Sequence, residues 1–168
     1  FDATKHLISI GCKKIALLST IDNLSVGKLR AKGFFKALEE NKITFDESQI
    51  ILTDYETFFD KQLVDFFAQN KLDAIFALDE HASVAGLKLA LQNGYKVPEN
   101  LSVIGFADGV WSRRLTPSLS TVSQHGPEIG DKAARLLIER LEPKKEENPY
   151  KTITVKTENG KSSTCEVT

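Results

Sequence analysis

Arg30 is the residue of this chain best placed by its neighbours to do chemistry. It lies on the stretch Val26 to Asn41, where Val26, Arg30, Gly33, Phe34, Ala37 and Leu38 share one stripe at helical spacing. Lys28, Lys32 and Lys36 fall off that stripe, as solvated lysines do. A guanidinium facing inward needs a partner, because an unpaired buried charge is costly. Either it snorkels or pairs with a protein carboxylate, or it stands in a cleft and offers a fork of donors to ligand oxygens. Asp79 follows the apolar run Asp73 to Leu78, so it projects from the carboxyl end of a strand. There it either caps the helix that follows or meets a ligand. Tyr55, in Asp54-Tyr55-Glu56, is either a surface loop residue or a ring on which a sugar face or base stacks. Asp108 and Trp111 sit in one loop after an apolar strand, beside Arg113 and Arg114, which read as solvated. The lone Trp is either core cover or a pocket wall.

Catalytic and metal chemistry find no support. His6, His81 and His125 are scattered without metal-ligand spacing. There is no nucleophile elbow, phosphate-binding loop or dinucleotide fingerprint. Asp79 and Asp108 could approach one another for acid–base work, but nothing supplies a nucleophile. We therefore expect no enzyme, no cofactor and no metal.

The 168 residues suffice for one domain with a sizeable core. A formal net charge of −1 gives no electrostatic footprint for nucleic acid. No run approaches a membrane span. Cys12 and Cys165 make no disulfide framework and read as free thiols of a reducing cytoplasm. The chain opens at Phe1 and has no Met, so we expect residues upstream.

The elements that must carry these side chains alternate. Asp2 to Gly11 reads as the end of a helix, Lys14 to Leu18 as a buried strand and Val26 to Asn41 as an amphipathic helix. A strand centred on Ile50-Ile51-Leu52 precedes a helix from Phe58 to Asn70. Asp73 to Leu78 is a strand, Glu80 to Asn93 a helix stopped by Gly94, and Leu101 to Phe106 the next strand. Pro127 to Leu141 reads as a helix, and Thr152 to Thr157 as an exposed strand. Glu142 to Asn148 reads as a solvated loop, with a loose end at Ser163 to Thr168. Strands separated by helices of this length imply βαβ units and a mostly parallel sheet. The helix Glu80 to Asn93 is apolar on nearly all sides, so it is buried against its sheet and a second surface. That surface is either a partner chain or the helix Phe58 to Asn70.

Two runs carry a resemblance: Val97-Pro98-Glu99-Asn100-Leu101-Ser102-Val103-Ile104-Gly105-Phe106-Ala107-Asp108 and Thr116-Pro117-x-Leu119-x-Thr121-Val122. Others fall in order around them. They are His6-Leu7-Ile8-x-x-Gly11-x-x-Lys14-Ile15-Ala16, Arg30-x-x-Gly33-Phe34, Asp73-Ala74-Ile75-Phe76-Ala77 with Asp79, and Gly130-x-x-Ala133. Lys161-Ser162-Ser163-Thr164 is a weakened form of a basic-x-Ser-Thr end. Together they resemble the effector-binding domain of the lactose/purine repressor family of bacterial transcription regulators.

The resemblance implies an α/β, periplasmic-binding-protein-like type I fold: two parallel-sheet lobes joined by a hinge, with effector between them. It places Phe1–Leu18 and His125–Lys151 in a first, incomplete lobe. Thr20–Ser123 and Thr152–Thr168 form the second, with crossovers near Ser19, Gln124 and Thr152. It makes Arg30 an effector contact and gives Tyr55 the place of a stacking aromatic. Gly126 and Ile129 take pocket-lining positions, although Ile129 also suits the core of its own helix. Two departures matter. Leu78-Asp79 stands where the family has Asn-Asp, and Ala107 replaces an acid, leaving Asp108 next to it. Losing an acceptor while keeping Arg30 favours an effector with a carboxylate or phosphate. The competing expectation is that Asp108 or Asp79 replaces the lost acid for a neutral sugar. The implied protein is a cytoplasmic homodimer that meets DNA only through an upstream helix-turn-helix and has no membrane contact. The alternative is a periplasmic sugar-binding protein of a transport system.

Overall fold

The computed structural model describes residues 1–52, 59–106, 109–141, 151–156 and 158–160. Helix α1 (Asp2–Ser9) leads into β1 (Ile15–Ser19), followed by α2 (Ser25–Glu40), a short 3-10 turn and β2 (Ile50–Leu52). Then come α3 (Phe59–Gln69), β3 (Ala74–Ala77), α4 (Glu80–Gln92), β4 (Ser102–Gly105) and α5 (Val110–Arg114). β5 (Ser120–Ser123), α6 (Gly126–Leu141) and β6 (Glu158–Gly160) complete the order. The strands form one sheet, β2-β1-β3-β4-β5-β6, parallel except for β6, which pairs antiparallel with β5.

Strands β1, β3 and β4 are buried along their whole length. That is why they read as unbroken apolar runs rather than alternating ones. The alternation appears instead in the two cores. Ile15, Leu17, Ala74 and Phe76 face one side, packing with Ala3 and Leu7 of α1 and Phe34 and Leu38 of α2. Ala16, Leu18, Ile75 and Ala77 face the other, packing with Leu63, Phe66 and Phe67 of α3 and with α4. A two-residue period thus feeds two opposite helical layers.

Three expectations need correction. Residues 1–18 do not form a lobe apart from 20–123. β1 is hydrogen-bonded between β2 and β3, and α1 packs beside α2, so burial of Ile15, Leu17 and Leu7 requires one shared core. The late strand falls at Glu158–Gly160 rather than Thr152 to Thr157, because the register with Thr121, Val122 and Ser123 selects those residues. On α2, Val26 at the head of the stripe is 40% exposed, and the stripe is buried only at Phe34, Ala37 and Leu38.

Helix α6 differs from the others: none of its residues is buried. Ile129, Leu137, Ile138 and Leu141 lie on it as exposed apolar side chains. The second surface of α4 is helix α3, which packs against it within one core.

Gly105 on β4 stands close against Ser83 of α4. A Cβ there would stand 1.8 Å from Ser83 Oγ and 2.6 Å from Ser83 Cβ on α4. Ser83 cannot swing clear, since its Cβ is already too close and its hydroxyl donates to the Asp79 carbonyl at 2.6 Å. Gly105→Ala is expected to cost roughly 1–3 kcal/mol by overpacking. Denaturant unfolding of Gly105→Ala, Ser83→Gly and the double variant checks the cause. A coupling energy below about 0.5 kcal/mol would reject this contact as the source.

Candidate ligand-binding site

Parallel strands send their carboxyl ends to one edge, and the loops there carry the site. Strand order reverses between β1 and β3, the kind of switch point at which open α/β sheets leave a crevice. Thr20 follows β1, Leu78 and Asp79 follow β3, Phe106 follows β4 and Gln124 follows β5. Arg30 reaches this edge from α2. Its Nη1 donates to the Leu78 carbonyl at 2.6 Å and its Nη2 to Gln124 Oε1 at 2.7 Å. Its Cζ lies 3.9 Å from the centre of the Phe106 ring, in cation–π contact.

Arg30 is half-buried, and both of these oxygen partners are neutral. Burial pulls its pKa down from the ordinary value, and the charge of Asp79 opposes that shift. The guanidinium stays charged, as arginine does in proteins. Three of its five N–H donors remain beyond these two bonds. Neither sequence alternative describes it fully, since its partners are a carbonyl, an amide and a ring.

Asp79 is buried and heavily engaged. Oδ2 accepts from the Thr20 backbone N–H at 2.8 Å, and Oδ1 accepts from Thr20 Oγ1 at 3.0 Å and from Ala82 N–H at 2.9 Å. The carboxylate caps α4 and also ties the end of β1 to the end of β3. Three of its roughly four acceptor sites are thereby taken within the protein.

The remaining candidates divide. Tyr55, Ala107 and Asp108 lie outside the described residues, as does the side chain of Trp111. Gly126 opens α6, and a Cβ on it would meet nothing within 4 Å. Ile129 is 47% exposed, so the core alternative fails for it. Arg113 and Arg114 are exposed, as read. Gln124 and Phe106 are contacts of Arg30 that the sequence reading did not single out as site residues. The available signal was position: each directly follows a strand at the edge to which Arg30 points.

A parallel sheet with helices on both faces and a switch point at its carboxyl edge defines a doubly wound α/β domain, the class in which ligands bind at that edge. A model for the periplasmic binding protein-like domain matches residues 4–163. The HTH-type transcriptional repressor PurR of Haemophilus influenzae is 33% identical over 146 residues, covering 86% of this chain and 44% of PurR. A transcriptional regulator, LacI, of Bacillus cereus superposes with a TM-score of 0.86 at 28% identity, over 98% of this chain and 58% of that one. A LacI-family regulator of Enterococcus faecium with bound ribose superposes with a TM-score of 0.80 at 26% identity, over 96% and 60%. The chain belongs to the periplasmic-binding-protein-like effector-binding domains of the lactose/purine repressor family. It spans less than half the length of the PurR relative.

Proposed function

We propose that this chain is the effector-binding domain of a bacterial DNA-binding transcription regulator. Its effector is a sugar or sugar derivative bearing a carboxylate or phosphate. The observation that carries the reading is Arg30: a half-buried cation at the strand ends, held by two neutral oxygens. The described carboxylate whose field it feels, Asp79, already accepts three hydrogen bonds. An anionic ligand oxygen is a better partner for a guanidinium than the Gln124 amide it would displace. The ribose carried by the Enterococcus faecium relative supports the sugar class. Asp79 is poorly free to supply a replacement acid, so the neutral-sugar alternative rests on Asp108. Effector binding favours one arrangement of two lobes over another, a coupling of typically ~1–3 kcal/mol that an upstream DNA-binding segment reads out. Homodimerisation belongs to the same proposal and rests on family membership, because α3 covers the face of α4 that suggested a partner chain. Sedimentation of the intact protein at tens of micromolar tests it, and a monomer rejects it.

Calorimetry with matched ligands tests the site. A hexose is compared with its uronate and its phosphate, and the anionic members are expected to bind tighter. Arg30→Ala is expected to weaken them more than tenfold, the loss of a charged hydrogen bond worth roughly 1.5–3 kcal/mol. Tighter binding of the neutral sugar, or an Arg30→Ala loss within about twofold, defeats the anion reading.

A further inference from the structure

At the opposite, amino-terminal edge of the sheet lies a cavity of about 840 Å³, in the size range of small-molecule sites. Four cations line it from three separate turns: Lys13 and Lys14 before β1, Lys42 after α2, and Lys71 after α3. Among the described residues, none of the four forms a salt bridge within 4.0 Å. Asp46, also in the lining, turns a carboxylate oxygen to the Ser48 backbone N–H at 2.9 Å. The side chains of Asn41 and Asn70 donate back to the last turns of α2 and α3.

Lysines near helix carboxyl ends have an ordinary explanation, since α1, α2 and α3 all finish here and their last carbonyls carry partial negative charge. Three such ends amount to about one and a half charges. Asp46 in the lining and Asp73, whose Oδ2 accepts from the Lys13 and Lys14 backbone N–H groups at 3.0 and 2.9 Å, bring this to about three and a half, still short of four ammonium groups. The backbone supplies a second observation. Gly11 after α1 and Gly94 after α4 take the left-handed conformation that ends a helix, at φ 98° and 83°. Lys42 holds the corresponding place after α2 with φ 55°, while its N–H donates to Glu39 O and that of Ile43 to Leu38 O. A lysine stands there in a conformation that sterically favours glycine.

We propose that this basin binds a small polyanion, a molecule with two or more phosphate or carboxylate groups, held by Lys13, Lys14, Lys42 and Lys71. It is separate from the Arg30 site and independent of the effector reading. All four lysines are exposed at the basin's rim, and the ligand proposed is a small molecule rather than an extended polymer.

The test uses inorganic tripolyphosphate as the probe, titrated calorimetrically into the whole 168-residue chain at near-physiological salt. Saturable one-to-one binding is expected at submillimolar concentration. Orthophosphate should bind about tenfold more weakly, because one group cannot span the lysines. Lys42→Gly removes the cation while relieving the left-handed backbone. It should weaken binding about tenfold with an unchanged or raised Tm. Lys71→Gln is the second variant, and Arg30→Ala should stay within about twofold of the parent. The proposal is overturned by absence of saturable heat, by binding indifferent to both lysine variants, or by loss on Arg30→Ala, which would put the anion in the cleft. Polyglutamate binding tighter than tripolyphosphate would mark an open surface and overturn it too.

Discussion

Asp79→Ala is expected to lower the unfolding free energy by about 3–5 kcal/mol. A truncation that strands buried partners of a charged group costs on that scale. Three donors lose their acceptor together: the Thr20 backbone N–H, the Thr20 hydroxyl and the Ala82 N–H. Two of them are tied to opposite sides of the switch point, so the loss falls on tertiary structure as well as on the cap of α4. Asp79→Asn keeps an acceptor and should cost less, about 1–2 kcal/mol. Urea unfolding followed by circular dichroism checks both. A loss below about 1 kcal/mol for Asp79→Ala would show that the cross-strand tie contributes little beyond a surface cap.

Phe34→Ala is expected to cost about 3–5 kcal/mol, the usual range for emptying a buried aromatic site. Phe34 is 1% exposed and stacks on Phe76 of β3 at 6.0 Å between ring centres, with Phe35 edge-on at 5.3 Å. Neighbours on α1, α2 and four strands share this cluster, so the void cannot close by moving one side chain. Phe34→Leu fills most of it and should cost about 1.5 kcal/mol or less. Arg30 lies one turn earlier on the same helix, so ligand affinity should fall in Phe34→Ala even at temperatures where the variant is folded. Thermal unfolding and a ligand titration on the same sample separate the two effects. An unchanged affinity would mean that α2 is positioned without this side chain.

Sequence periodicity located five of the helices and four of the five parallel strands, because buried parallel strands and amphipathic helices both leave strong patterns; it missed the short β5 and α5, the latter lying in what read as a loop. The family resemblance was carried by residues whose structural reasons are now visible. Gly105 accommodates Ser83, and Gly33 lies so close to Phe1 that a Cβ would stand 2.9 Å from its backbone nitrogen. What periodicity could not reveal was partnership over long separations. Arg30 is 48 residues from Leu78 and 94 from Gln124, and nothing local in either segment announces the pairing. The lobe boundary near Ser19 failed for the same reason. Whether a strand such as β1 ends one sheet or sits inside another is decided by its hydrogen-bonded neighbours, not by its own residues. Edge strand β6 was displaced because a short polar segment carries little register information.

The bond between Arg30 and Gln124 gives the molecule something like a clutch. Gln124 lies on the segment that leaves the sheet for α6, and its amide is engaged by a cation rooted in α2. The bond ties that segment to α2, and under the proposed function a ligand oxygen taking Nη2 would release the tie, so the chemistry of the arriving group would decide whether the lever is held or released. A variant such as Gln124→Leu would be permanently disengaged, its guanidinium still held by the Leu78 carbonyl and the Phe106 ring, and its outgoing segment no longer tied to α2 by that bond.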